Sequence, residues 1–193
     1  KSLECTKEGF RNYMKNRPDP PKEEILGPIS HAYFHAGSKD DLRLAEKYMN
    51  KALEIEPEQH EALQTKVHLL IEGKKWQEVL DVCEMALNND DENEFFIAYQ
   101  ADAHIELKDP TEAYDSITRL LAIDSSDKDY WFLLARYYAL IGKNEEAIDK
   151  LIVGIHLGLE LKEETINDSL FNEIRTMPGY ERLLKLQDDI FMP

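Results

Sequence analysis

A pattern of small and large apolar residues that recurs every 34 positions constrains this chain more than any other feature. Three sets of positions repeat at this interval: Ala45, Val79, Ala113 and Ala147; Met49, Cys83, Ile117 and Leu151; and Ala52, Ala86, Leu120 and Gly154. One supersecondary unit of this length cannot bury its apolar face alone, whereas stacked units bury it together. The period therefore predicts an array of repeated units.

Each unit is expected to be a hairpin of two helices. In the last unit, four apolar residues at positions i, i+3, i+4 and i+7 form one helix face: Trp131, Leu134, Ala135 and Tyr138. After a break at Gly142 the apolar face resumes at Ala147 and Leu151, four residues apart on a second helix. The small residues let the two helices approach closely, and the large ones fill the space around them.

This pattern resembles the W-x2-L-G-x2-Y…A-x3-F spacing of the tetratricopeptide repeat (TPR) family, with Ala135 in place of Gly and Leu151 in place of Phe. The resemblance covers roughly residues 25–158. It implies an all-α, right-handed superhelical solenoid of antiparallel helix hairpins with a concave inner surface. The structural repeat positions that it assigns are Ala45, Ala52, Val79, Ala86, Ala113, Trp131, Ala135, Tyr138 and Ala147.

We expect one solenoid domain over residues 1–193. Its segments are an N-terminal helix and Pro-rich linker (1–20), an irregular first repeat (21–57), three further repeats (60–91, 94–125 and 128–158) and a C-terminal cap (165–190). The first repeat is irregular because Gly27-Pro28 interrupts the pattern of its first helix. The N-terminal helix has an apolar edge at Phe10, Tyr13 and Met14, and it either caps the stack or is the tail of a preceding hairpin. The same edge is a candidate contact with a second copy of the chain.

The C-terminal cap resembles the closing element of certain bacterial TPR proteins, in which an acidic residue, a leucine-rich turn, a proline and an aromatic residue follow the last hairpin. Here these are represented by Asp168, Leu170, Pro178 and Tyr180. The resemblance implies a bacterial source. Six apolar residues are expected to seal the edge of the fourth hairpin: Leu170, Phe171, Ile174, Tyr180, Leu183 and Leu184.

The chain is acidic, with a formal net charge of −16. This charge disfavours nucleic acids and anionic membranes as partners, because both would be repelled. A basic protein segment is compatible with it, although solvated outer helix faces are the simpler explanation of the charge. The sequence contains no run of about 18 apolar residues, so no membrane span is predicted. The chain begins at Lys1, so the compartment stays open between the cytoplasm and, if a signal or lipid anchor was trimmed, the periplasm or a membrane-anchored location.

No motif predicts an enzyme or a cofactor. A Gly-rich phosphate loop, a nucleophile elbow and a kinase-type catalytic loop are all missing from the sequence. His31 and His35 have the spacing to share one metal ion on a helix, but the sequence indicates no third ligand, so no metal site is predicted. Cys83 occupies a core position and is expected to pack as a small apolar residue.

The better site hypothesis is the concave face. In TPR proteins the first helix of each repeat lines the groove, and transferring those positions gives six candidate partner-binding residues: Gln64, His68, Phe95, Asp102, Phe132 and Arg136. An extended peptide with apolar anchors and a Lys or Arg would suit them. Alternatively, Phe95 and Phe132 pack between adjacent hairpins. The basic residues and asparagines that clamp a peptide's C-terminal carboxylate in chaperone-binding TPRs are not found at the corresponding positions.

Two classes of function follow. The first is a non-catalytic adaptor that binds a peptide or protein segment in its groove, as a monomer or homodimer. The second is a structural or self-associating module of a larger assembly, in a bacterial envelope for example, with contacts at the ends of the stack. Under the adaptor hypothesis, replacing Gln64 or Arg136 by Ala should change partner binding and leave stability nearly intact.

Overall fold

The computed structural model describes residues 26–161 and 167–191 of the chain. The chain divides into two compact units, Lys1–Asp91 and Glu92–Pro193. All regular structure in the described residues is helical, which confirms the all-α prediction. The N-terminal helix predicted at Phe10, Tyr13 and Met14 lies outside the described residues, as does the start of the predicted C-terminal cap.

The first unit contains two helix hairpins. Helices α1 (Leu26–Ala36) and α2 (Lys39–Ile55) form one, and α3 (His60–Glu72) and α4 (Trp76–Leu87) form the other. Helix α3 also packs against both α1 and α2. The two first helices, α1 and α3, are therefore neighbours within this unit.

The irregular start of α1 has a local explanation. Pro28 lies in the first turn of α1, where its missing N–H has no helical partner to lose. A side-chain carbon added at Gly27 would lie 2.0 Å from Oε1 of Gln59, so glycine permits the close approach of Gln59 to this helix. Helix α2 then begins at a capping box, in which Ser38 and Asp41 satisfy each other's backbone N–H groups.

The second unit repeats the hairpin arrangement and adds a closing segment. Helices α5 (Glu94–Glu106) and α6 (Pro110–Ile123) form one hairpin, and α7 (Lys128–Leu140) and α8 (Asn144–His156) form the next. Helices α5 and α7 pack side by side. Two 3-10 turns, Ser169–Phe171 and Ile174–Thr176, then lead into α9 (Pro178–Phe191).

The residues that repeat every 34 positions lie in the core of their hairpins. Four second-helix residues have no exposed surface: Ala45, Val79, Ala113 and Ala147. Cys83 is equally buried, and burial raises the pKa of its thiol to about 12. Its thiol is consequently protonated at neutral pH and unreactive.

Three of the four hairpin turns share one hydrogen-bond motif. In these turns the backbone N–H that precedes the second helix donates to a carbonyl five residues earlier, over 2.8–2.9 Å: Lys75 to Leu70, Asp109 to His104 and Lys143 to Tyr138. The residue before each donor has a positive φ, which is 53° at Lys74, 59° at Lys108 and 75° at Gly142. This is the Schellman ending of a helix, and it turns the chain back on itself at the same point of the last three repeats.

The closing segment packs on the last hairpin. Phe171, Ile174 and Leu183 are buried in one core with Ile148 and Leu151 of α8, while Tyr180 packs at its edge. A side-chain carbon on Gly179 would lie 2.9 Å from Cδ1 of Ile148, so α9 approaches α8 closely there. None of the described helices is long and apolar enough to span a membrane.

Candidate functional site

In the second unit two of the candidate residues, Phe95 and Asp102, lie on α5. With Tyr99 and Glu106 they are spaced i, i+4, i+7 and i+11, which places the four residues on one helix face, called the stripe below. The stripe is aromatic at its start, where the rings of Phe95 and Tyr99 are 4.6 Å apart between centroids, and acidic at its end. All but Glu106 are half-buried.

Arg136 of α7 anchors the acidic end of this stripe. Its guanidinium donates to Asp102, to Oε1 of Glu106 over 2.5 Å and to Oδ2 of Asp168 over 2.7 Å. The side chain of Arg136 is 9% exposed, whereas those of Asp102, Asp168 and Glu106 are 22%, 17% and 35% exposed. The cation therefore lies beneath its three carboxylates, a group that we call the carboxylate collar (Asp102, Glu106 and Asp168).

The collar keeps Arg136 charged and leaves an excess of negative charge. Burial alone would lower the pKa of Arg136, but Asp102, Asp168 and Glu106 together hold it above its usual value. Three carboxylates around one guanidinium have a net charge of about −2 when ionised. Contrary to the expectation that Arg136 could be removed with little loss of stability, these contacts predict that its removal destabilises the chain, because the three carboxylates would lose their shared partner.

Phe132 meets the chain's own closing segment. Its ring centroid is 5.9 Å from that of Phe171, and the ring packs against the core that closes the last hairpin. Asp168, which belongs to the same segment, reaches Arg136 one turn further along α7. Phe132 therefore packs against the closing segment, whereas the packing alternative placed it between adjacent hairpins.

In the first unit, three imidazoles meet on the neighbouring first helices. Nε2 of His31 and Nε2 of His35 are 3.1 Å apart on α1, and ligand atoms of these residues and of His68 on α3 all lie within 4.8 Å of one another. The ring of Phe34 stacks on His68 with a centroid distance of 4.7 Å and an interplanar angle of 8°. The third imidazole that the sequence did not indicate is therefore His68, one of the predicted groove residues.

Burial and mutual repulsion keep two of these imidazoles neutral. Burial, then the neighbouring His35 and His31, lowers the pKa of His68 to about 4. The pKa of His31 is also lowered, by burial and by His35, although the carboxylate of Glu61 acts in the opposite direction. At neutral pH both rings therefore offer a nitrogen lone pair.

Gln64, the remaining candidate in this unit, is half-buried on α3. Its Nε2 lies 3.0 Å from Nε2 of His60, one turn earlier on the same helix.

One geometric rule unites the two clusters. Four residues lie six positions before the positive-φ residue of their turn: His31, His68, Asp102 and Arg136. Within each unit the two members face each other across adjacent first helices, and a third residue one turn along, His35 or Glu106, completes the cluster.

The pairing of Asp102 with Arg136 could have been inferred from their separation of 34 residues. His31 and His68 are 37 apart, because the first turn comes three residues early, and the strict period misses them.

Comparisons with known proteins agree with this architecture. A family model described as a tetratricopeptide repeat matches residues 30–59, the hairpin that the sequence pattern marked as irregular. No curated protein matches the sequence significantly.

Several solved structures share the fold at low sequence identity. A tetratricopeptide repeat protein from Parabacteroides merdae has 15% identity and a TM-score of 0.66, covering 98% of this chain and 73% of that chain. MamA has 16% identity and a TM-score of 0.60, covering 88% and 86%. YrrB, described as a TPR protein with an unusual peptide-binding site, has 18% identity and a TM-score of 0.58, covering 96% and 94%.

Proposed function

This chain carries a tetratricopeptide repeat and has the helical-hairpin fold of tetratricopeptide repeat proteins, and we propose that it is a non-catalytic scaffold that binds a segment of a protein partner. The proposed binding surface in the second unit is the stripe along α5 together with the carboxylate collar. Peptide binding by the similar protein YrrB supports this class of function.

The observation that carries the proposal is the arrangement of charge in the collar. Arg136 holds three carboxylates in place, and their side chains retain 17–35% of their exposure. Such fixed acceptors bind a Lys or Arg side chain without first having to be ordered. The excess negative charge would also attract a basic segment from a distance.

The aromatic start of the stripe supplies the apolar contact. Phe95 and Asp102 are seven residues apart on α5, which corresponds to about 10 Å along a helix at 1.5 Å per residue. An extended peptide advances about 3.3 Å per residue, so this distance spans about three of its residues. The proposed partner segment therefore has an apolar side chain and a Lys or Arg about three positions apart.

Photo-crosslinking tests the proposal directly. A benzophenone amino acid would replace Ala98, which lies on α5 between the two ends of the stripe, and in a second variant it would replace Asp115, an exposed residue of α6. After irradiation in an extract of the source cells, mass spectrometry identifies the attached segments. We expect a partner segment with the stated spacing at Ala98 and its absence at Asp115.

Other results would contradict the proposal in different ways. Equal labelling from both positions would indicate non-specific association of an acidic protein. Crosslinks from Ala98 to a second copy of this chain would favour the self-associating module instead. Far-UV circular dichroism of both variants, compared with the unmodified chain, controls for misfolding.

A further inference from the structure

We propose that His31, His35 and His68 form a binding site for a divalent transition-metal ion of the zinc type. This site is independent of the peptide-binding surface proposed in the second unit. The evidence is the convergence of three nitrogen donors from two neighbouring helices.

The distances fit a shared ion. Zinc binds histidine nitrogen at about 2.0–2.1 Å in tetrahedral geometry, so two nitrogens on one ion are about 3.3 Å apart. Nε2 of His31 and Nε2 of His35 share a hydrogen bond over 3.1 Å and are thus already at about this separation, so an ion would take the place of the shared proton. The nitrogen of His68 lies within 4.8 Å of both, and a shift of about 1.5 Å, within the range of a side-chain rotation, would bring it to the same distance.

The helices hold the three rings in position. His31 and His35 are one turn apart on α1, so their side chains leave the same face of that helix. His68 comes from α3, which packs beside α1, and its ring is held by the stacked ring of Phe34. The helices therefore bring the three side chains together before an ion binds, and only the ring of His68 has to rotate to complete the site.

The second unit uses the same arrangement for a cation that the protein itself supplies. There two carboxylates one turn apart on α5, Asp102 and Glu106, enclose the guanidinium of Arg136 from α7. In the first unit the three equivalent positions are all histidine. Three ligand atoms thus converge at the place where the second unit holds a guanidinium, and an external cation would fill the equivalent role.

The donor set selects the kind of ion. Imidazole nitrogen suits Zn²⁺, Ni²⁺ and Cu²⁺, whereas Mg²⁺ and Ca²⁺ prefer oxygen ligands. His35 is exposed, so an ion on these three nitrogens would have a route to solvent. A fourth coordination position would then be available to water or to a side chain of a binding partner.

Isothermal titration calorimetry, in which ZnCl₂ is added to the full chain after treatment with a chelator, tests the site. We expect one Zn²⁺ per chain, together with a rise in the melting temperature. Substitution of His31, His35 or His68 by Gln should each weaken binding by at least about tenfold, since even the partners of metal ligands are worth about 10–100-fold. His156→Gln is the matched control, because His156 is an exposed histidine of the second unit.

Two further measurements separate this site from weak binding to surface carboxylates. Millimolar Mg²⁺ should not compete, and Co²⁺ in place of Zn²⁺ should give the strong visible absorption of a tetrahedral site in the unmodified chain and lose it in His68→Gln. Retained Zn²⁺ affinity in all three histidine variants would overturn the proposal, as would binding that Mg²⁺ abolishes. Circular dichroism shows whether each variant keeps its helices, so that lost binding is not confused with lost fold.

Discussion

Replacing Arg136 by Met removes the cation of the carboxylate collar and keeps much of the side chain's volume. The change leaves Asp102, Glu106 and Asp168 facing one another without their shared partner. Three charge-assisted hydrogen bonds disappear at the same time. The variant should therefore be markedly less stable than the unmodified chain.

The solvent exposure of the three carboxylates determines how much unfolding free energy is lost when Arg136 is replaced. Removing one member of a fully buried ion pair costs about 3–5 kcal/mol, whereas an exposed pair contributes about 0–1 kcal/mol. Arg136 itself is 9% exposed, but its carboxylates retain 17–35% of their surface, so water can partly rehydrate them. We therefore expect a loss of about 2–4 kcal/mol, between the two limits.

Urea denaturation followed by tryptophan fluorescence measures this loss. The chain has two tryptophans, Trp76 in the first unit and Trp131 in the second. In a Trp76→Phe background the signal comes from Trp131 on α7, the helix that carries Arg136. Arg43→Met is the control, because Arg43 forms an exposed pair with Asp40 at 3.8 Å, with 71% and 90% of the two side chains exposed.

A second set of substitutions gives a sharper test, because their expected effect on stability has opposite signs in the presence and absence of Arg136. Converting Asp102 and Asp168 to Asn should destabilise the unmodified chain, because their ion pairs with Arg136 are lost. In the Arg136→Met background the same substitutions should restore stability, because they remove charges that have no partner. A midpoint for Arg136→Met equal to that of Arg43→Met, or a further loss from the Asn substitutions, would refute the reasoning.

Three other predictions concern the repeat itself. Ala113→Leu and Ala147→Leu should each lower the unfolding free energy by about 1–3 kcal/mol, because both sites are fully buried and would be overpacked; unchanged urea midpoints in both would contradict the helical register. Gly142→Ala should destabilise by about 1 kcal/mol and Lys108→Gly should stabilise by a similar amount, because both turn residues have positive φ; the same midpoints measure this, and opposite signs would count against the turn assignment. Cys83 should resist iodoacetamide in the folded chain at pH 8 and react in urea, because burial raises its pKa to about 12; mass spectrometry locates the label, and rapid native labelling would disprove its burial.

The hairpin fold was predictable because each repeat encodes it locally. A small residue such as Ala113 must recur wherever two helices approach, and the large residues around it must recur with the same period. The positions of the last three turns follow the same period. Contacts that join several segments of the chain were harder to predict from the sequence. Arg136 is the clearest example, because one of its three partners, Asp168, comes from the closing segment.

The imidazole group was missed for a different physical reason. Its members belong to consecutive repeats, but the first turn ends at Gly37, three residues earlier than the strict period requires. This offset places His31 opposite His68 and not opposite Thr65, which is 34 residues away. Aligning the repeats on the positive-φ residue of each turn would have identified the pair of His31 and His68. That residue is Gly37 in the first turn and Lys74 in the second, so the sequence alone does not mark it.

The central claim is that the carboxylate collar recognises a basic side chain of a protein partner. The most direct test is the affinity of the segment crosslinked at Ala98, made as a fluorescent synthetic peptide, for the unmodified chain and for Glu106→Gln. Glu106 is the most exposed collar residue, and Gln keeps an oxygen for Arg136. Glu145→Gln, on the exposed start of α8, removes the same charge elsewhere. We predict weaker binding for Glu106→Gln alone, with a smaller dependence on salt than the unmodified chain shows. Equal affinities for all three proteins would contradict the account.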